Sequence, residues 1–87
     1  MVYSTELKNK EDVLRLNREA TKNLIKILVE SGSILVDARS LLALYALIGK
    51  KVKLIASDRE DAKEFADFVK KVKLWEYLNL LIALMLK

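Results

Sequence analysis

The fold is decided by one stretch of the sequence, Ile34-Leu-Val-Asp-Ala-Arg-Ser-Leu-Leu-Ala-Leu-Tyr-Ala-Leu-Ile-Gly49. Its first residues predict a short strand that ends at Asp37, with Ile34 and Val36 on one face. Ser40 follows at the position of a helix N-cap, and Gly49 stands where the end of a helix needs a positive φ. The stretch therefore predicts a strand followed closely by a helix that is apolar nearly all round.

Three further segments predict strands. Val2 to Leu7 alternates loosely between apolar and polar residues, and Lys51 to Ser57 alternates clearly. Leu24 to Glu30 predicts a strand that turns at Ser31-Gly32 and returns through Ser33 to Asp37, which makes a hairpin.

Two further segments predict helices. The first begins at the N-cap Asn9 and ends near Asn23, and the second begins at Ser57 or Asp58. Apolar residues recur in both at helical spacing, so we expect these side chains to be buried: Val13, Leu16, Ala20, Phe65, Phe68, Val69 and Val72. Helices grouped on one face of a mostly antiparallel sheet would bury them all, which predicts an α+β fold.

Composition narrows the classes of function. The 87 residues fit one domain, and 53% of them are hydrophobic, which is too many for a disordered chain. No histidine or cysteine occurs, so we expect no metal, no cofactor and no Ser-His or Cys-His catalytic pair. The net charge of +4 is mild, and the two lysine clusters lack the aromatic or glycine-rich interleaving of a nucleic-acid groove, so we do not expect nucleic-acid binding. The composition thus indicates a protein that is not an enzyme.

The order of elements, with Val36-Asp-Ala-Arg-Ser-Leu-Leu-Ala-Leu-Tyr-Ala-Leu47 and Val52-Lys-Leu-Ile-Ala56, resembles the HPr phosphocarrier proteins of the bacterial sugar phosphotransferase system. The resemblance covers roughly residues 1 to 73. It implies an open-faced β-sandwich of order βαββαβα, in which a four-stranded antiparallel sheet carries three helices on one face. The family places a phosphate-carrying histidine and a supporting arginine after the first strand, at the positions of Asn9 and Glu11 here. This pattern implies that phosphate transfer is lost.

The family also has a regulatory serine at the start of the second helix, and Ser40 falls on that position. A chain that keeps this serine and replaces the histidine is similar to the catabolite-repression relative of HPr. The resemblance therefore implies an HPr kinase or a transcription regulator as the partner. Serine is also among the commonest N-caps, and Ser40 taken alone is explained as a cap.

The second helix predicts a docking surface. Its large apolar residues spread over roughly 220° of arc, whereas a core needs only about 100°. We expect Leu44, Leu47 and Ile48 to be buried. Part of Leu41, Leu42 and Tyr45 should then stay exposed beside Arg39 and meet a partner protein, unless another part of the chain covers them.

The apolar end of the chain goes beyond the family pattern. We divide the sequence into an HPr-like domain, residues 1–74, and an apolar tail, residues 75–87, whose longest apolar run is far too short for a transmembrane segment. The strands also place large apolar residues on the sheet face that the family leaves open. We expect the tail or a second copy to cover that face, through Leu24, Leu28, Leu35, Ile55, Trp75 and Leu81.

The sequence predicts a cytosolic, non-catalytic HPr-like regulatory domain that binds protein partners and is switched by phosphorylation of Ser40. The alternative is a structural module that forms a homodimer, or a divergent or engineered scaffold, in which Ser40 is only a cap.

Overall fold

The computed structural model describes residues 1–86. Four strands form one antiparallel sheet in the order β1-β4-β2-β3. This is the α+β architecture of four antiparallel strands and three helices that the sequence predicts. The elements in chain order are β1 (Val2–Leu7), α1 (Lys10–Lys22), β2 (Leu28–Ser31), β3 (Ile34–Asp37), α2 (Leu41–Tyr45), β4 (Lys50–Ile55) and α3 (Ala62–Met85).

The sheet has an inner face that meets the core and an outer face that does not. On the inner face, Tyr3, Leu54, Val29 and Val36 form one row across the four strands. Leu54 and Val29 are fully buried there, because side chains alternate between the two faces of a strand. The helices therefore place the core on one side of the sheet.

The hairpin forms, but β2 begins at Leu28 rather than at Leu24. Leu28 pairs with Asp37 on one side and with Ile55 on the other, and neither neighbouring strand extends further. Ile25 and Ile27 are buried, although they lie outside the strand. Gly32, the first residue of the two-residue turn, has a φ of +59°, which fits a tight hairpin turn.

Helix α1 agrees with its prediction at both ends. The Oδ1 of Asn9 accepts a hydrogen bond of 3.0 Å from the Asp12 N–H, and the C-cap is Asn23. Such a bond satisfies one of the free N–H groups at the start of a helix. The residues predicted to be buried, Val13, Leu16 and Ala20, all lie in the core.

Helix α2 is shorter than predicted. It ends at Tyr45, and the chain reaches Gly49 through tighter turns in which each N–H bonds the carbonyl three residues back. Gly49 has a φ of +86°, as expected at this position, and its N–H donates to the carbonyl of Leu7. Leu44 and Leu47 are buried, but Ile48 keeps 37% of its surface exposed because the turns direct it away from the core.

Helix α3 begins later than predicted. Its N-cap is Asp61, whose Oδ1 accepts the N–H groups of Lys63 and Glu64 at 2.8 and 3.2 Å. Ser57 instead begins a separate turn, closed by the 2.9 Å bond from the Glu60 N–H to its carbonyl. The apolar side of α3 lies in the core as expected, with Phe65, Phe68 and Val72 buried and Val69 half-buried.

Helix α3 also runs without a break across the boundary that we drew between Leu74 and Trp75. No glycine or proline interrupts residues 62–85, so nothing in the sequence turns the chain back. The residues that we treated as a tail are the second half of this helix up to Met85. Among residues 1–86, no helix is long and apolar enough to cross a membrane.

Candidate functional site

The start of α2 is fixed by its neighbours. The Ala38 N–H donates to the carbonyl of Ile27 at 2.9 Å, and the side-chain amide of Asn17 donates to the Ala38 carbonyl at 3.1 Å. Ala38 itself is fully buried. The segment from Ala38 to Leu44 is therefore held against α1 and β2, and the residues on its outer side keep a defined position.

Ser40 is the N-cap residue of α2 and is exposed. Its carbonyl accepts the Leu44 N–H at 3.1 Å, which closes the first helical turn. Its side chain makes no capping hydrogen bond, although such a bond was the simplest structural explanation for a serine here. The Ser40 hydroxyl is thus available at the surface.

The guanidinium of Arg39 is not free to interact with Ser40, because it forms an ion pair with the carboxylate of Asp37. Its Nη2 lies 3.1 Å from Asp37 Oδ2, its Nε lies 3.3 Å from Oδ1, and its backbone N–H donates to Oδ1 at 2.9 Å. These bonds from Arg39 lower the pKa of Asp37 below its ordinary value, and the carboxylate raises the pKa of Arg39 in turn. A phosphate on Ser40 would have to compete with Asp37 for this guanidinium.

The apolar residues of α2 are exposed to different extents. Leu42 keeps 83% of its surface exposed, whereas Leu41 and Tyr45 are half-buried against the core. Leu41, Leu42 and Tyr45 thus all remain partly exposed as predicted, and Leu42, two residues from Ser40, carries most of that area.

The start of α1 is built as a helix cap. Asn9 caps the helix, and Asp12 Oδ2 accepts the Lys8 N–H at 2.9 Å. Glu11 is exposed in the same first turn. Lys8 and Lys10 flank Asn9 and balance the two carboxylates of this turn, so what the start of α1 lacks for phosphate transfer is an imidazole.

The starts of α1 and α2 are separate. The anchor of α2, the bond between Asn17 and Ala38, lies eight residues along α1 from Asn9, which is about 12 Å of helix axis. The structure therefore does not bring Asn9 and Ser40 together into one site.

The second half of α3 runs antiparallel to α1 and approaches Asn9. The Nζ of Lys71 bonds Glu19 at 2.9 Å, and further along α3 the side chain of Asn79 contacts Asp12 and Arg15, each at 3.4 Å. A shallow cavity of about 410 Å³ separates the last turns of α3 from Lys8 and Asn9.

Glu76 joins α3 to β1, a role that the sequence alone does not predict. One Glu76 oxygen accepts the Thr5 hydroxyl at 2.6 Å, and both of its oxygens lie 3.0 Å from the Tyr3 hydroxyl. Burial, the hydrogen bond to Glu76 and its charge all raise the pKa of Tyr3. A signal was present, because Glu76 and Asn79 are the only polar residues between Leu74 and Leu86 and are three positions apart.

Only some of the residues that were predicted to lie on the outer face of the sheet are found there. Leu28 and Ile55 are paired neighbours, and Leu35 is 56% exposed, while Leu24 stands apart before β2. Trp75 is half-buried against the core on the opposite side, and α3 continues from there to Leu81. The tail thus does not lie over the outer face, because an unbroken helix keeps it on the inner side.

A larger cleft of about 810 Å³ lies between the sheet, α1 and α3. Leu16, Val72 and Trp75 give it apolar walls, and Asp12, Glu76 and Asn79 contribute polar groups that already bond one another or β1. No group of three side chains suited to hold a metal ion occurs within residues 1–86.

Comparison with known proteins gives a structural match without a sequence match. No protein-family model matches this sequence, and no curated protein matches it significantly. Among solved structures, the crystal structure of HPr-C-His from Thermoanaerobacter tengcongensis aligns with a TM-score of 0.65. The alignment covers 84% of this chain and 91% of that chain, at 23% sequence identity. The chain therefore has the fold of an HPr protein.

Proposed function

We propose that this chain is a non-catalytic protein-interaction domain built on the HPr fold, with its docking surface at the start of α2. The observation that carries the proposal is that Leu42, 83% exposed, and the unbonded hydroxyl of Ser40 are two residues apart at the start of α2. An exposed leucine on a rigid segment offers apolar area to a partner at little cost in ordering. The adjacent hydroxyl offers a place to change the charge of that surface.

Phosphorylation of Ser40 would act as an electrostatic switch. The added phosphate carries close to two negative charges beside Leu42 and next to the carboxylate of Asp37. It would draw Arg39 away from Asp37 or repel that carboxylate, and either change alters what a partner meets at this surface. Helix α2 has only five residues, so the switch depends on Arg39 and Asp37 more than on a helix dipole.

We do not propose a phosphocarrier activity for this chain. The chain has no histidine, so it forms no phosphohistidine. Asn9 serves as a helix cap, and Glu11 and Asp12 follow it in the first turn of α1. These features support a binding role rather than phosphate transfer.

A protein partner fits the charges better than a nucleic acid does. Lys51 and Lys53 lie on the outer face, but the sheet register places them opposite Glu6 and Glu30. Alternating charges of this kind do not form the basic surface that nucleic-acid binding needs. We propose an HPr kinase or a transcription regulator as the partner, and the cytosol as the location.

The test is phosphorylation by an HPr kinase, followed by the intact mass of the product. The wild-type chain should gain one phosphate and the Ser40→Ala variant none. Ser33→Ala removes another exposed serine, at the hairpin turn, and should still be phosphorylated. An unmodified wild-type chain, or a Ser40→Ala variant that gains the same phosphate, would refute the switch.

A second candidate function is self-assembly, in which Ser40 is only a cap. The second half of α3 favours it, because large apolar side chains are exposed along its whole length between Leu74 and Leu86.

A further inference from the structure

The exposed side of α3 carries a regular apolar stripe. Leu74, Leu78, Leu81 and Met85 are separated by four, three and four residues, which is the spacing of positions that meet across a two-helix contact. We call these four residues the solvent stripe. Each keeps between 36% and 80% of its surface exposed, and Tyr77 and Leu84 flank them at 59% and 57%.

The solvent stripe points away from the body of the protein. At 100° per residue, its centre lies about 150° around α3 from Val72, which is buried in the core. As far as Asn79, helix α3 therefore has two apolar sides, one that its own domain covers and one that nothing within residues 1–86 covers. A helix that is apolar on both sides is normally buried on both sides.

We propose that the solvent stripe pairs with the solvent stripe of a second copy of this chain, with the two α3 helices antiparallel. In this arrangement Leu78 lies opposite Leu81 of the second copy, and Leu74 lies opposite Met85. The contact is self-complementary about a two-fold axis, as expected for a symmetric dimer. This inference does not depend on the docking surface at α2, because Leu42 and Ser40 lie on another element.

Charge selects the antiparallel orientation. Lys70 precedes the stripe on the same side of α3 and is exposed, while the charge of the neighbouring Lys71 is already paired with Glu19. A parallel pair would place Lys70 beside Lys70 of the second copy, where like charges repel. The antiparallel pair keeps them at opposite ends of the contact and also opposes the two helix dipoles favourably.

The exposed apolar area of the stripe is just large enough for a dimer interface. The stripe and its two flanking residues expose on the order of 600 Å² per protomer, if a large apolar residue has roughly 200 Å² in all. Specific interfaces bury about 600–1,000 Å² on each partner, so this contact stands at the lower limit. We therefore expect a weak dimer whose population rises with protein concentration.

The first experiment measures the mass of the full chain by analytical ultracentrifugation over a wide concentration range. The wild type should change from monomer to dimer as concentration rises. Leu78→Glu should remain monomeric throughout, while its circular dichroism stays unchanged because Leu78 is exposed at 43%. Leu80→Glu is the matched control, since Leu80 is on the same helix and 59% exposed but lies about 130° from the stripe, and it should still form dimers.

The second experiment tests orientation with introduced cysteines, since the chain has none of its own. A mixture of Leu74→Cys and Met85→Cys should form a mixed disulfide. Met85→Cys alone should not cross-link, because two Met85 positions in an antiparallel pair are about 16 Å apart, beyond the reach of a disulfide. Cross-linking of Met85→Cys with itself would refute the antiparallel pair.

Three other outcomes overturn the proposal. One is a wild-type chain that stays monomeric at every concentration. Another is a dimer that survives Leu78→Glu but is lost in Leu35→Glu, which would place the contact on the outer face of the sheet. The third is a monomer that cosediments with anionic phospholipid vesicles through the stripe, which would assign these residues to a lipid surface.

Discussion

Glu76 should determine where the second half of α3 lies, because it accepts bonds from two side chains of β1. Replacing Glu76 by alanine removes the 2.6 Å bond from Thr5 and the 3.0 Å bonds from the Tyr3 hydroxyl. No other hydrogen bond within residues 1–86 joins the side chains of β1 to those of α3, so we expect a measurable loss of stability.

The magnitude follows from exposure. A hydrogen bond to a charged group contributes about 1.5–3 kcal/mol in favourable settings, but Glu76 is exposed, so water replaces much of what is lost. For the two hydroxyl donors together we expect a fall of about 1–2 kcal/mol in the free energy of unfolding. An 87-residue domain has about 4–13 kcal/mol in all. The midpoint of thermal unfolding should drop by about 4–8 °C per kcal/mol.

The pKa of Tyr3 gives a second readout. Burial is the largest cause of this increase, and the hydrogen bond to Glu76 and the charge of Glu76 raise the pKa further. Glu76→Gln should therefore lower the pKa of Tyr3 without returning it to 10.0, because burial remains. Since the folded state favours the neutral phenol, the stability that Tyr3 contributes is fully present below pH 10.0 and is lost as pH rises through the raised pKa.

The assay is a double-mutant cycle of Tyr3→Phe and Glu76→Ala, measured by urea unfolding at neutral pH. Tyrosinate absorbance is followed separately in a Tyr45→Phe, Tyr77→Phe background, where only Tyr3 titrates. We expect a coupling free energy of about 0.5–1 kcal/mol between Tyr3 and Glu76. Additive single mutants together with a Tyr3 pKa that Glu76→Gln leaves unchanged would refute the reasoning.

Three further predictions concern the core, a turn and an ion pair. Phe68→Ala should cost about 3–5 kcal/mol in urea unfolding, because Phe68 is almost fully buried and its removal leaves a cavity. Gly49→Ala should cost about 1–2 kcal/mol in the same measurement, because a φ of +86° strains any side chain with a Cβ. Arg39 depresses the pKa of Asp37, so the stability of this pair is present above pH 3.8 and is lost as pH falls through the lowered pKa. We therefore expect the Asp37→Asn variant to lose less stability than the wild type as the pH falls, as followed by circular dichroism.

Local patterns predicted the elements whose partners are close in sequence. The cap at Asn9, the hairpin that ends at Asp37 and the positive φ of Gly49 all follow from residue type and spacing. The buried side of α3 at Phe65 and Phe68 follows in the same way. In each case one short stretch of sequence contains the whole physical reason.

Other features depend on residues far away in the chain. β2 starts at Leu28 because Asp37 and Ile55 define where its neighbours end, and no local signal near Leu24 shows this. The predicted start of α3 was wrong. Ser57 and Glu60 have the spacing of a capping box, but Asp61 accepts the capping hydrogen bonds. Local capping signals compete, and tertiary packing decides between them.

The candidate site was predicted only in part for the same reason. Helical periodicity over 41–48 assumes that α2 continues, but the helix ends at Tyr45, so Ile48, predicted to be buried, is 37% exposed. The pairing of Arg39 with Asp37 depends on how the chain bends between β3 and α2. Periodicity gives the direction of a side chain only while the helix lasts.

The two proposed surfaces are compatible, and their combination has a consequence. The second half of α3 extends toward Asn9 at the start of α1, whereas Ser40 and Leu42 lie at the start of α2, anchored about 12 Å further along α1. An antiparallel pair of α3 helices leaves both copies of α2 uncovered and related by a two-fold axis. A partner with two binding sites could then engage both copies, and the second contact would form at a high effective concentration. In that arrangement Leu78→Glu weakens binding of a dimeric partner without touching Leu42, while a monomeric partner binds both forms equally.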